Sequence, residues 1–535
     1  MGAHPLVVRV TDTADPRAAD QGAGQSAGLR RVLRGGVVNM AGAVVGAGLN
    51  LALIVAITRA FSQETAGLLF SATSVFLIAA SVANLGAPDG LVYFIARMRV
   101  FGRAGGVPRL LGLAMGPAVG ASCVLAGALL VFAEPMAGAM GSGQAATYLR
   151  LLAVFLPFAV LTDSALAATR AHHDMAGTVL VDRVGRPLAQ LGLVAGIAVT
   201  GSAGLLALAW AGPYLPAAVL AWFWLGRIVR GAARDGADPD AGAVRDGDGS
   251  QDDAAGAVGH GDGDGPVTPR AFWTFALPRA LGGIAQMGVQ RGGVVMVALL
   301  SGLTGAAVFT AATRVMVVGQ FGTQAVLYAA QPRFAEQVAT GDHAGIRSLY
   351  QAGTSWLVCV TWPLYLSALV FAPEVMLLFG SDYSAGATAL VVVCAGQLLW
   401  SVLGMGDLIL TMTGRTGLNL LNNVLSLVAN VAVCVVLVPS AGATGAAAAL
   451  VAAVLVRKLL PLWQLRSEVA LHPFSRPVGV ATASSVLWFG ALPLLVDAVL
   501  DGGVATMAAA MATGALGHLV TVWSLRGFLG LRPRG

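Results

Sequence analysis

The sequence predicts an all-α polytopic membrane protein of about fourteen transmembrane helices, and three observations predict it. Hydrophobic residues make up 57% of the 535 positions and charged residues 11%, against roughly 25% charged in an ordinary soluble domain. The apolar residues come in successive blocks of about 20, each enough to cross roughly 30 Å of hydrocarbon as a helix. Arginines gather in alternate loops between the blocks, as expected when one side of each crossing faces the cytoplasm.

Between charged or Gly/Pro breaks, helices are expected near 35–58, 65–88, 108–133, 146–169, 177–200, 203–225, 272–300 and 304–330. The rest are expected near 349–372, 383–411, 417–439, 442–460, 478–500 and 503–525. Loop charge tests this reading. One set of loops holds Arg30, Arg31 and Arg34; Arg97, Arg99, Arg103 and Arg109; Arg170, Arg183 and Arg186; and Arg227, Arg230 and Arg234. The same side continues with Arg333 and Arg347, Arg415, then Arg457, Lys458 and Arg466, and ends on Arg526, Arg532 and Arg534. The opposite loops hold Glu64, Glu134, Glu374, Asp382, Asp497 and Asp501. An even number of helices in the cell membrane, with both termini cytoplasmic, follows.

Five regions are expected. Residues 1–29 are a polar cytoplasmic tail without a secretory signal, and 30–230 form a six-helix lobe. Residues 231–269 are rich in Gly, Ala and Asp, from Asp235 to Asp264, and read as a disordered acidic cytoplasmic linker. That run lacks the residue spacing and closing Glu of a calcium loop. A second six-helix lobe spans 270–466, and 467–535 add two helices and a basic tail. The lobes resemble each other: Ala66-Gly67-Leu68 matches Thr304-Gly305-Ala306, Tyr93 and Arg97 match Tyr328 and Arg333, and Gly201-Ser202-Ala203-Gly204 matches Gly442-Ala443-Thr444-Gly445. A repeat of six helices is even, so both copies enter the membrane in the same direction and face one central cleft.

Several function classes drop out. The basic residues form no patch for nucleic acid. A phosphate-cradling loop needs Lys before Ser or Thr, whereas the sole lysine, Lys458, precedes Leu459. Membrane glycosyltransferases and polymerases need a large outer loop with catalytic acids, and the outer loops here are about a dozen residues or fewer; the chain is not expected to be an enzyme. Cys123, Cys359, Cys394 and Cys434 lie inside apolar blocks without metal-binding spacing. Arg170, His172, His173 and Asp174 fit a membrane-surface loop better than a metal site, so no metal or cofactor is expected.

Charges inside the membrane are the sharper signal, because an Arg at the bilayer centre costs about 2.5–3.5 kcal/mol without a wet cavity or partner. Arg314 falls near mid-membrane, and Arg279 and Arg291 lie at different depths of the preceding helix, which also carries Gln286 and Gln290. These five are the expected substrate-binding residues. The competing reading pairs the arginines with backbone carbonyls or acids. Guanidinium forks match phosphate oxygens, so several Arg with few acids suit an anionic diphosphate. Arg59 and Arg150, near helix ends, are expected to snorkel to the surface. Asp163 is the candidate for ion coupling, although it, Asp182 and Asp407 equally fit helix-end or interhelical partners. Pro278 is placed to kink its helix.

The stretch Gly414-Arg415-Thr416-Gly417 through Asn422, Asn423 and Asn430 to Val438-Pro439, then Gly442-Ala443-Thr444-Gly445-Ala446 and Arg457-Lys458, resembles the fifth and sixth helices of the second lobe in polysaccharide flippases. Gly35-Gly36, Asn50, Thr58-Arg59-Ala60-Phe61, Ala66-Gly67 and Leu85-Gly86-Ala87 resemble that family's opening. The resemblance, from about 30 to 525, points to Wzx-type flippases within the multidrug/oligosaccharidyl-lipid/polysaccharide exporter superfamily. It implies a monomer that moves a polyprenyl-diphosphate-linked saccharide across the bilayer by alternating access, serving polysaccharide-assembly enzymes. A lipid II flippase or a multidrug/cation antiporter of the same superfamily is the alternative; the first lobe is thin in Arg for the former. A membrane-embedded glycosyltransferase or polysaccharide polymerase is the alternative from another class.

Overall fold

A computed structural model describes residues 41–101, 104–172, 174–235, 267–469, 471–500 and 504–527. The expected N-terminal tail, nearly all of the acidic linker and the end of the basic C-terminal tail lie outside the described residues. Among the described residues the elements are helical throughout. In the first half they are α1 (Ala41–Ala60), α2 (Gln63–Ala83), α3 (Ala87–Val100), α4 (Val107–Val131), α5 (Ala133–Ala139), α6 (Gln144–Val154), α7 (Leu156–Ala171), α8 (Arg186–Thr200), α9 (Leu206–Ala211) and α10 (Tyr214–Asp235). The second half holds α11 (Pro269–Ser301), α12 (Leu303–Ala312), α13 (Arg314–Ala339), α14 (His343–Val370), α15 (Ala372–Leu377), α16 (Ala387–Val402), α17 (Gly406–Met412), α18 (Thr416–Gln464), α19 (Arg476–Val486), α20 (Leu492–Leu500) and α21 (Val504–Ser524).

Ten helices among the described residues are long and apolar enough to cross a membrane, or eleven if the α6–α7 pair, bent by 41°, is one span. The expectation was about fourteen. Part of the difference lies in α18, whose 49 residues are continuous only by hydrogen bonding: Gly442 sits at φ 51°, ψ −127°. The two legs run antiparallel, because the Ser426 hydroxyl donates to the Ala453 carbonyl at 2.8 Å and Asn422 pairs with Gln464 at 2.8 and 2.9 Å. Another part lies in α8, which has 15 residues and continues a π-helical stretch, Thr178–Gly185.

Helix ends follow local chemistry. Ser62, Thr268, Asp342 and Ser475 each cap a helix by accepting a backbone N–H three residues on. The helices expected near 65–88 and 304–330 are interrupted, at Asn84–Gly86 and at Thr313. The expected helix near 65–88 ends at Ala83, and α3 then carries the chain on to Val100. Leu85, at φ 48°, is the one non-glycine residue with positive φ among the described residues. Pro278 lies within α11 without breaking it. The α10 helix runs to Asp235, past residue 230 where the linker was expected to begin.

One apolar core runs through both halves of the molecule, joining Leu69 and Phe76 of α2 to Val297, Phe309, Tyr365 and Val393. Gly67 makes this junction possible, since a Cβ there would overlap the Leu303 carbonyl. A second cluster packs α3, α4, α7 and α10, and a third packs α13, α14 and α17. The final helices dock on α14 through His518, whose ring nitrogens meet the Ser484 hydroxyl at 2.9 Å and the Cys359 carbonyl at 3.0 Å. Large apolar side chains such as Val199, Val124 and Trp523 are well exposed, as befits a multi-pass protein whose outer surface is solvated by lipid.

Candidate functional site

The polar interior is built from both halves. In the first, Asn84 at the α2–α3 break donates to Asp163 of α7 at 3.0 Å. Arg186 donates to one Asp182 oxygen at 3.1 and 2.7 Å and to the Tyr214 hydroxyl, and its guanidinium lies 4.6 Å from the Tyr214 ring centre. Asp163, Asp182, Arg186 and Arg170 are within electrostatic reach of one another. With Asp89 and Arg183, which also act on Arg170, the group carries three acids and three cations and is locally compensated. The loop expected around Arg170, Arg183 and Arg186 is corrected here: Arg183 and Arg186 lie inside a helix, and the Arg186 side chain is 20% exposed.

The second half is different. The α11–α12 hairpin turns at Gly302, φ 92°. Arg291 and Arg314 flank the turn at nearly equal spacing, so at 1.5 Å per residue both lie roughly 17 Å from it, about half of a 30 Å hydrocarbon layer. They feel each other's charge, and Arg291 is also within reach of Tyr214 from the other half. Arg314 donates from Nε to the carbonyl of Thr310 at 3.1 Å. Among the described residues neither arginine forms an ion pair. The two like charges are therefore brought together without a carboxylate.

Arg279 is separated from them. It is exposed, lies about 18 Å from Arg291 along α11, donates to its own Phe275 carbonyl at 3.1 Å and stacks at 3.6 Å over the Phe275 ring. Phe275 in turn stacks on Tyr93 of α3 at 4.2 Å, so Arg279 belongs to an aromatic seam between the halves. Arg279, Gly283, Gln286 and Gln290 nevertheless recur at four, three and four residues, one face of α11. That face is exposed except at half-buried Gln286.

Three further groups were not legible as site residues. Lys458 is 2% exposed and donates to Asp407 and to the Gly404 carbonyl, both at 2.9 Å, with its nitrogen 4.1 Å from the Trp400 ring centre. Arg457 lies 3.9 Å from the other Asp407 oxygen and donates to Gln286 at 3.5 Å. Both cations were expected in a cytoplasmic loop; they sit in α18. Arg59, expected to snorkel, donates to the carbonyls of Leu378 and Leu377 at 2.9 Å each, while Gln63 donates to the Asp382 carbonyl at 2.8 Å. Arg150 pairs with Glu134 at 3.1 Å on the surface. His172 contacts the Ala168 carbonyl at 2.9 Å, and His173 lies outside the described residues. Among the described residues no cluster of His, Cys, Asp and Glu fits a metal ion.

No protein-family model matches the chain. Over 185 residues it is 26% identical to the probable low-salt glycan biosynthesis flippase Agl15 of Haloferax volcanii, covering 34% of this chain and 39% of that relative. The match thus spans well under half of the curated relative's length. Among solved structures, the lipid II flippase MurJ in an inward closed conformation superposes with a TM-score of 0.68 at 10% identity, over 93% of this chain and 100% of that one. An inward-facing multidrug resistance MATE family transporter gives 0.62 at 15% identity over 81% and 98% of the chains, and an outward-facing one 0.52 at 16% identity over 82% and 95%. The proteins it resembles are transporters and flippases, and the chain has the fold of the MOP-superfamily transporters to which its sequence resemblance pointed.

Proposed function

We propose that the chain is a flippase that carries a polyprenyl-diphosphate-linked saccharide across the cytoplasmic membrane by alternating access for cell-surface polysaccharide synthesis. The observation that carries this reading is the pair Arg291 and Arg314, two cations at the same mid-membrane depth without a carboxylate partner among the described residues. Uncompensated guanidinium groups in a low-dielectric setting are costly until an anion fills the space between them, and a diphosphate offers the matching forked acceptors. Tyr214 from the first half of the chain lies within electrostatic reach of Arg291. The polar face of α11 formed by Arg279, half-buried Gln286 and Gln290 is the route from the inner leaflet, while the polyprenyl tail stays in lipid.

With both termini cytoplasmic, the α1–α2 turn lies on the outer side. There Arg59 holds the C-terminal end of α15 and Gln63 the Asp382 carbonyl just beyond it, which fits a cleft closed to the outside. The higher TM-score against the inward-facing MATE than the outward-facing one, 0.62 against 0.52, supports the same state. An anion leaving a negative interior gains about 2.3 kcal/mol per charge per 100 mV, so the membrane potential assists export.

The test is transfer of a fluorescent polyprenyl-diphosphate oligosaccharide in proteoliposomes with a defined potential. Arg314→Ala is expected to lose transfer at least tenfold while Asp163→Asn retains it. Proton-driven efflux of an organic cation that depends on Asp163, without lipid transfer, would assign the protein to the drug-extruder branch instead.

A further inference from the structure

We infer that Arg457 is an additional headgroup-binding residue, an inner station that the diphosphate meets before it reaches Arg291 and Arg314. The inference rests on the flippase reading and extends its site to a helix that the sequence did not assign to it.

Arg457 follows from the charge arrangement around Asp407. Lys458 occupies one oxygen of that carboxylate at 2.9 Å, is 2% exposed and has its remaining surroundings filled by the Gly404 carbonyl and the Trp400 ring. Lys458 is therefore committed to the fold and neutralises Asp407. Arg457 is left 3.9 Å from the second oxygen, beyond hydrogen-bond distance. Its side chain is 29% exposed, its Nη2 reaches Gln286 at 3.5 Å, and its Nε is buried without an acceptor. The cluster thus carries one excess positive charge with unspent donors.

Its position gives that charge a use. Half-buried Gln286 lies on the face of α11 that also presents exposed Arg279 and Gln290. Along α11 it stands five residues from Arg291, roughly 7.5 Å at 1.5 Å per residue. Arg457 thereby lies inward of the Arg291–Arg314 pair in depth and about 140° around α11 from Arg291, and a diphosphate moving outward past α11 meets a guanidinium at each level. The chemistry it selects is a phosphate or diphosphate oxyanion.

The experiment uses the purified full chain, with inorganic pyrophosphate as the binding probe and fluorescent polyprenyl-diphosphate oligosaccharide as the transport probe. Arg457→Gln is expected to weaken pyrophosphate binding about tenfold and to raise the transport KM more than it lowers kcat, with Arg457→Lys recovering only part of the binding because a point charge lacks the fork. Gln286→Ala, which leaves Asp407 and Lys458 untouched, is expected to weaken binding about threefold and serves if Arg457→Gln does not fold. Wild-type pyrophosphate affinity in folded Arg457→Gln, alongside a defect in Arg314→Ala, would overturn the inference and leave the flippase reading standing. Absence of pyrophosphate binding and lipid transfer in the wild type would overturn both.

Discussion

Replacing Asp407 by Asn tests whether the buried Lys458 depends on its carboxylate. The ammonium has two oxygen acceptors at 2.9 Å, from Asp407 and Gly404, and one aromatic face at 4.1 Å, with 2% of the residue exposed. Asn keeps the shape and removes the charge, leaving a buried cation with neutral partners. Breaking a buried pair by removing one member costs about 3–5 kcal/mol. Loss of the amine proton bounds that cost, so the lower end, about 3 kcal/mol, is expected. The half-exposed Arg457, 3.9 Å from the carboxylate, adds little because exposed pairs contribute about 0–1 kcal/mol. Removing both charges in Asp407→Leu/Lys458→Met is expected to return stability to within about 1 kcal/mol of wild type. Unfolding of the purified protein in detergent, followed for Asp407→Asn and for the double variant, is expected to place the double at least about 2 kcal/mol above the single. Asp407→Asn within about 0.5 kcal/mol of wild type, or a double variant no better than the single, refutes the reasoning.

Arg59→Ala removes two exposed charge-assisted hydrogen bonds between the lobes, each contributing about 0.5 kcal/mol. The open population at the α1–α2 end is expected to rise about fivefold, measured as a distance change between spin labels on the two lobes; an unchanged distribution would show that the contact does not gate. Gly67→Val places a side chain against the Leu303 backbone and is expected to destabilise by about 1–3 kcal/mol. Melting with the wild type would mean that α2 and α12 are not in the described contact.

The hydropathy blocks made the membrane class and the positions of most helices legible, because a 20-residue apolar segment meets the same solvent wherever it packs. The same local signals misjudged particular charges. Arg186, Arg457 and Lys458 sit near helix ends in the sequence, where basic residues mark orientation, yet each has a partner 28 to 171 residues away in Tyr214, Gln286 or Asp407. Arg279 and Arg291 share a helix and a residue type, and only packing separated them, one against Phe275 and Tyr93, the other toward Arg314 and Tyr214. Arg59 reads as a snorkelling residue until α15 is brought over it. Sequence by itself determined the solvent each segment meets, since that depends on composition along the chain. Tertiary structure alone decided which charge is neutralised and which is left to bind, since a counter-ion acts only within a few ångströms and the chain supplies it from distant segments.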